Sequence, residues 1–147
     1  MEISVVLHNV TSSQRLVDFA KLVFGLDVKR LVLTKVGGTA AQAGIPDVGR
    51  LALKTGKSLI ILPDLKDAIE LLGSRRVYLL SPLADREVDQ LDLTQDSLLV
   101  FSGIENGFTK IEQSLGEYIT LRSMKVDTGP IPYASAVLYC ALVGGKR

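Results

Sequence analysis

Three stretches of this chain concentrate residues able to shape a ligand cleft. The first, Phe101-Ser102-Gly103-Ile104-Glu105-Asn106-Gly107-Phe108, sets a glycine two residues either side of Glu105. Glycines at that spacing let a backbone approach a ligand closely, and they equally make a simple turn. The second, residues 122–129, is a polar run ending in glycine. The third, Gly129-Pro130-Ile131-Pro132-Tyr133-Ala134-Ser135, is stiff and lacks amide donors at its prolines, which suits either a ligand wall or a tight connection.

Other chemistry-bearing groups are sparse. Asp64, Asp67 and Glu70 recur at three-residue spacing on one face of a predicted helix. Carboxylates there could serve a metal-dependent nuclease, but the plain reading is a solvated face with Asp64 capping the helix. The single histidine, His8, excludes a His-rich metal site, and no metal ligand set is expected. The single cysteine, Cys140, lies in an apolar run and is expected to be a buried, inert thiol, in keeping with a reducing, cytoplasmic compartment. Thr55-Gly56-Lys57-Ser58 lacks the upstream glycine of a phosphate-binding loop and precedes a strand, which argues against a nucleotide-binding domain of that type.

The elements that must position these groups alternate between strand and helix. Apolar runs predict strands at Ile3 to Leu7, Arg30 to Thr34, Ser58 to Leu62, Arg76 to Leu80, Ser97 to Ser102 and Glu117 to Leu121. Thr11, Ser12 and Ser13 offer caps for a first helix whose apolar face carries Leu16, Phe19, Ala20 and Val23, with Gly25 as its C-terminal stop. A glycine-rich stretch leads through a short helix into a helix from about Pro46 to Thr55. Pro63-Asp64 opens a helix through Leu72, closed by Gly73. Residues 85–93 form a weak helix or loop, Thr109 to Leu115 a short helix, and Pro132 to Val143 a final apolar helix. Short continuous apolar strands separated by helices predict an α/β fold of three layers, a parallel sheet with helices on both faces.

Length and composition bound the rest. The 147 residues fit one domain, 1–147. Hydrophobic residues make up 47 %, yet no stretch has the length a membrane helix needs, and no signal peptide is expected. The net charge of +1 is small for a protein that grips nucleic acid through phosphates, although Lys29-Arg30, Arg75-Arg76 and Lys146-Arg147 form basic pairs. Contact with RNA would be local or spread over a dimer. The final helix, apolar on most sides, has Ala134, Val137, Leu138, Ala141 and Leu142 on one broad face and suits a homodimer interface.

Taken in order, three segments resemble the motifs of the SpoU branch of the SPOUT RNA methyltransferases. His8 to Thr34 resembles the first, with helix, Phe24-Gly25 turn and strand. Leu98 to Leu121 resembles the second, and Gly129 to Val143 the third. The resemblance implies a C-terminal deep trefoil knot, a rare exception to ordinary chain topology. It also implies S-adenosylmethionine as cofactor, held by Ser102, Gly103, Glu105, Ile119, Leu121, Ile131 and Ser135. It further implies RNA (tRNA or rRNA) as substrate, a ribose hydroxyl or base nitrogen as nucleophile, and a homodimer sharing its sites through the C-terminal helix.

Departures from the motifs bear on catalysis more than on binding. The positions usually holding asparagine and arginine in the first motif are Ser13 and Phe19, and the third-motif asparagine position is Tyr133. Arg15 lies one helical turn before Phe19 and becomes the candidate for holding phosphate or hydroxyl. Glu105 is the candidate for orienting substrate, with hydrogen bonding inside its own turn as the plain reading. Tyr133 is a candidate for stacking on a base or, equally, for packing against the last helix. These departures leave open a catalytically altered RNA- or ligand-binding protein on the same fold.

Overall fold

The computed structural model describes residues 2–122, 124 and 127–144. The Lys146-Arg147 pair and part of the polar run after Leu121 therefore lie outside the described residues. Seven strands form one sheet in the order β3-β2-β1-β6-β4-β7-β5. They are β1 (Ile3–Val10), β2 (Arg30–Val36), β3 (Ser58–Leu62), β4 (Arg76–Leu80), β5 (Glu87–Val88), β6 (Ser97–Ser102) and β7 (Glu117–Leu121). Every pairing is parallel. The helices are α1 (Ser13–Gly25), α2 (Ile45–Thr55), α3 (Leu65–Leu72), α4 (Lys110–Gln113) and α5 (Pro130–Leu142), with a π-helical turn at Ala40–Gly44 before α2.

The strands are apolar on both faces because both faces are covered. Val5, Leu7, Leu31, Leu33, Leu99 and Phe101 join a core with residues of α1, α2 and α5. Their neighbours Val6, Val32, Leu79, Leu98 and Val100 pack with Leu65 and Ala68 of α3 and with Phe108. Each such fully buried side chain contributes about 1.5–3 kcal/mol relative to exposure. Phe101 ties the first core together, edge-on to Phe19 at 5.8 Å and to Tyr133 at 6.3 Å between ring centroids. No helix among the described residues is long and apolar enough to cross a membrane.

The chain runs β1, β2, β3 outward on one side, then returns to lay β6, β4, β7 and β5 on the other side of β1. The order therefore reverses between β1 and β6. In open parallel sheets, the crevice beyond the strand carboxyl ends at such a point is where ligands bind.

The structure corrects several expectations. β1 and β2 run to Val10 and Val36 instead of stopping at Leu7 and Thr34. Pairing of His8 with Thr34 and of Val10 with Val36 carries them past their polar residues, while Asn9 and Lys35 between those pairs take left-handed backbone, φ 64° and 51°. Residues 85–93 hold neither a helix nor only a loop: Glu87–Val88 adds a seventh strand beside β7. Gly25 is the last residue of α1, not its left-handed stop; Leu26 caps the helix and Asp27, φ 62°, makes the turn. α5 starts at Pro130, with Gly129 as N-cap at φ 95°, so both prolines sit in the first turn where no amide donor is needed. Cys140 is exposed, since α5 buries Tyr133, Ala134, Val137 and Leu138 and turns Cys140 and Tyr139 outward.

Gly116, entering β7, shows how tightly the sheet ends are packed. A Cβ there would lie 2.6 Å from the carbonyl oxygen of Val77 and 2.7 Å from its Cγ1. Gly116→Ala is expected to destabilise the protein by about 1–3 kcal/mol, read as a lower urea midpoint at unchanged slope.

Candidate functional site at the carboxyl edge of the sheet

The turn after β6 is built by short-range bonds that its sequence dictates. The Gly103 amide donates to the carbonyl of His8 at 2.8 Å. A Cβ on Gly103 would meet Asn9 O and Val10 Cβ, both at 2.7 Å, so glycine is required by the end of β1 and not by a ligand. The Ser102 hydroxyl shares its proton between the carbonyls of Ile104 at 3.2 Å and Gly107 at 3.3 Å, and accepts from the Ile104 amide. Gly107 closes the turn at φ 74°.

Arg15 reaches this turn from α1. Ser12 caps that helix by accepting from the Arg15 amide, which fixes Arg15 in the first turn above the strand ends. One guanidinium nitrogen donates to Gly103 O at 2.8 Å, and another lies 3.8 Å from Glu105 Oε1. With Glu105 largely exposed, that ion pair contributes little to stability. Its value is positional: it sets a cation and a carboxylate at the lip of the crevice.

A narrow cleft of about 20 Å³ lies between this turn, the ends of β4 and β6, and the start of α5. Ser102, Glu105 and Tyr133 line it together with Leu80, Phe101 and Gly129. Among the other expected binding residues, Ile119 and Leu121 are core side chains, Ile131 packs partly buried against the same core, and Ser135 is half-buried on α5. Tyr133 is buried as well, its hydroxyl paired with Thr120 Oγ1 at 2.8 Å, so its ring forms cleft wall and is not free to stack on a base. A larger cavity of about 550 Å³ sits at the opposite, amino-terminal edge, lined by Ile3, Val28, Ser58 and Leu142 among others. Its place away from the strand carboxyl ends and the switch point makes it the weaker candidate.

A second cluster stands on the same edge, and sequence reasoning did not find it. His8, at the end of β1, is fully buried. Its Nδ1 pairs with Thr34 Oγ1 at 2.7 Å and its Nε2 with Glu112 Oε2 at 2.6 Å, while Phe108 stacks on the ring. Glu112 is held by a capping box with Thr109, its other oxygen accepting the Thr109 amide. Burial alone would raise the Glu112 carboxyl, but the Thr109 amide, His8 and the nearby Lys35 charge outweigh it and hold the pKa below the usual carboxylate value. Asp64 completes the group: one ligating atom from each of His8, Asp64 and Glu112 lies within 4.8 Å of the others. Asp64 is the N-cap of α3, as expected, and Asp67 its reciprocal capping partner, with Asp67 and Glu70 side by side on the surface next to Leu71. Two local signals point here in retrospect, a histidine closing an apolar strand and the Thr-x-x-Glu box at Thr109–Glu112.

A protein-family model described as "RecB-family nuclease (DUF2122)" matches residues 38–140. The chain belongs to this family. A relative from Aeropyrum pernix, named as a candidate type II restriction enzyme, is 42% identical over 99% of this chain and 96% of its own length. The fold, however, is that of the SpoU RNA methyltransferases. The SpoU methyltransferase AviRb from Streptomyces viridochromogenes, solved with AdoMet, superposes with a TM-score of 0.75 at 16% identity, over 98% of this chain and 58% of AviRb. A structure concerned with 2-OH methylation on tRNA gives 0.71 at 14% identity, over 99% of this chain and 98% of that one. The family member described here thus spans little more than half of AviRb, and the likeness is one of fold.

The buried Tyr133 hydroxyl gives this edge a measurable pH signature. Burial, with the Thr120 hydrogen bond opposing it, pushes its pKa up to about 12. The unfolded chain loses that proton near the ordinary value of about 10, so the contribution is intact below pH 10 and lost as pH rises toward 12. Tyr133→Phe is expected to flatten the fall in stability between those values. It should also cost about 1–3 kcal/mol at neutral pH by leaving the Thr120 hydroxyl unpaired, both read from urea midpoints across the pH series.

Proposed function

We propose that this protein binds S-adenosylmethionine in the cleft beside Gly103 and methylates RNA. The observation that carries the reading is the assembly of Arg15, Gly103 and Glu105 at the lip of a cleft on a SpoU fold. The reading includes a single domain over 1–147, a knotted C-terminal segment, a cytoplasmic location, and a homodimer formed through α5. The exposed Tyr139 and Val143 support such an interface.

The residues present fit the cofactor in kind. The amides of Ile104 and Gly107 are spent within the turn, which leaves the second lone pair of the Gly107 carbonyl to accept from the adenine amino group, and Leu80, Phe101 and Tyr133 offer apolar wall. At about 20 Å³ the cleft is far below the roughly 300 Å³ a ligand of this size needs, so binding requires the walls to part. Gly129 is the natural place: nothing lies within 4 Å of where its Cβ would be, and its φ of 95° marks a glycine-specific joint. When bound, S-adenosylmethionine supplies a sulfonium methyl for in-line displacement. Arg15 holds the RNA phosphate or hydroxyl through its fork of donors, and Glu105 orients that guanidinium and accepts a hydrogen bond from substrate. Positioning does most of the work in a displacement of this kind.

A second reading, cleavage of nucleic acid, is favoured by the family's description and by two carboxylates, Asp64 and Glu112, beside Lys35 at the strand ends. A third, binding without reaction, follows from the departures at Ser13 and Phe19.

One experiment separates them. Calorimetry with S-adenosylmethionine and its demethylated product is expected to show binding, and labelled methyl is expected to reach RNA. Arg15→Lys should lower transfer about 10²-fold while leaving cofactor affinity nearly unchanged. Absence of cofactor binding overturns the proposal. RNA shortened in a divalent-cation-dependent way, and spared by Asp64→Asn, selects the nuclease; binding with no transfer selects the third reading.

A further inference from the structure

We propose that the cavity at the amino-terminal edge of the sheet binds a small amphipathic carboxylate, its head group on Arg30 and its apolar body against Ile3, Val28 and Leu142. At about 550 Å³ the cavity lies within the roughly 300–1,000 Å³ that small-molecule sites occupy. None of its lining residues belongs to the cleft beside Gly103 or to the His8 cluster. The inference does not rest on the methyltransferase reading.

Two features carry it. The first is the apolar wall. Ile3 at the start of β1, Leu26 and Val28 between α1 and β2, Leu93 before β6 and Leu142 at the end of α5 converge on the cavity. All five pack into the core shared with α1 and α5, so the wall extends a fixed core and is not a loop surface. Tyr139 and Val143, the exposed apolar residues at this end of the chain, do not line it. The second feature is a guanidinium with donors to spare. Ser4, Arg30 and Ser58 stand in one register across β1, β2 and β3, and all three line the cavity. Arg30 uses one nitrogen, Nη1, on Glu2 Oε2 at 3.3 Å and Ser4 Oγ at 3.5 Å. Both contacts are long and Glu2 is largely exposed, so they hold the side chain loosely. Nε and Nη2 bond to no described residue, which leaves three N–H donors in a planar fork. A carboxylate accepts from such an edge through both oxygens.

The surrounding charge favours an anion over a cation. Asp27, also on the lining, is shared by two ammonium groups, Lys57 and, at 3.1 Å, Lys29. Hydrogen bonds from Lys57 and Lys29 draw its carboxyl down to about 2, so it is ionised and already spent. Lys29, Lys57 and Arg30 thus outweigh Asp27 and Glu2, and Asp96 is turned to the Glu2 amide. A ligand ammonium would find only Glu2, which faces solvent and is held by Arg30. A neutral ligand would leave the Arg30 fork unused, and an anion without an apolar body would leave the wall unused. A carboxylate with a hydrocarbon body uses both.

Octanoate is the probe, with octanol and octylammonium as chain-matched controls. Amide spectra of the nitrogen-15-labelled protein are expected to show saturable octanoate shifts at residues 3–4, 26–30 and 141–142, at one molecule per chain. Octanol should bind about 10-fold more weakly, and octylammonium more weakly still. Arg30→Gln should weaken octanoate about 10–100-fold and leave octanol unchanged, since it removes charged hydrogen bonds and no apolar wall. Ala141→Phe, which fills the cavity, should abolish binding of both, with an unchanged thermal midpoint as the check that the fold survives; where it does not survive, Arg30→Gln decides. No shift at these residues at millimolar octanoate overturns the inference. So does equal affinity for octanoate and either control, and so does wild-type octanoate binding by Arg30→Gln.

Discussion

The hydrogen bond from the Gly103 amide to the His8 carbonyl is the joint on which the carboxyl edge of this protein depends. It closes the last register of β1 against β6 at the point where the sheet order reverses, and it leaves no space for a side chain on Gly103. The consequences run in two directions. The carbonyl of Gly103 receives Arg15 from α1, which places the cation and, through it, Glu105. The side chain of His8 receives Glu112 from α4 and Thr34 from β2. Two clusters of polar groups are thus registered against each other by one peptide contact, and both inherit the rigidity of the two most enclosed strands. Displacing that contact would shift both clusters together, whichever reaction the protein carries out.

Fold and family point to different chemistry, and the physical layout explains how both can hold. A parallel sheet with a reversal in strand order provides one crevice by topology, but each face of the edge strand presents its own side chains. On β1, Leu7 looks into the core shared with α1 and α5, and His8 looks the other way. The SpoU-like cleft uses the turn after β6 and the start of α5. The histidine cluster uses the ends of β1 and β3 with α4. A fold by itself does not choose between such sites. What distinguishes them is that the cleft is a narrow gap between apolar walls, while in the histidine cluster both ring nitrogens are already hydrogen-bonded.

The strands were legible in the sequence wherever an unbroken apolar run stands: β4, β6 and β7, and also β3, an edge strand that leaves Ile61 exposed, begin and end where the pattern says. Where polar residues are buried by pairing, the pattern misleads. β1 continues through His8 and Asn9 because Thr34 and Glu112 satisfy the ring, and nothing in composition announces partners 26 and 104 residues away. β5 is invisible because two residues held only by β7 carry no periodicity. The turn at Gly103, Glu105 and Gly107 was legible as a site, but the reason for its first glycine was not, since the crowding comes from Asn9 and Val10. Helical spacing placed Asp64, Asp67 and Glu70 on a solvated face with Asp64 as the cap, and the capping box has that form; what spacing could not show is that His8 and Glu112 approach Asp64 from β1 and α4. Cys140 misled for the opposite reason, as a helix buried along one face can be apolar along the other.

The closed cleft also constrains how any ligand could enter. Tyr133 cannot swing out cheaply, because its hydroxyl is tied to Thr120 and its ring lies edge-on to Phe101 within the core. Ser102 cannot yield without releasing the carbonyls of Ile104 and Gly107 together. The Gly129–Pro130 junction is different. Its glycine touches nothing within 4 Å where a side chain would be, and the proline after it donates no amide. Yet the Tyr133 amide bonds the Gly129 carbonyl, so opening there would begin by fraying the first turn of α5 rather than by moving the helix. Helix ends are the least costly elements to open, since their backbone groups are only half committed. The stiffness of the Gly-Pro-Ile-Pro segment therefore confines movement to one joint, and the side of the cleft built by β4 and β6 stays fixed while the other gives way.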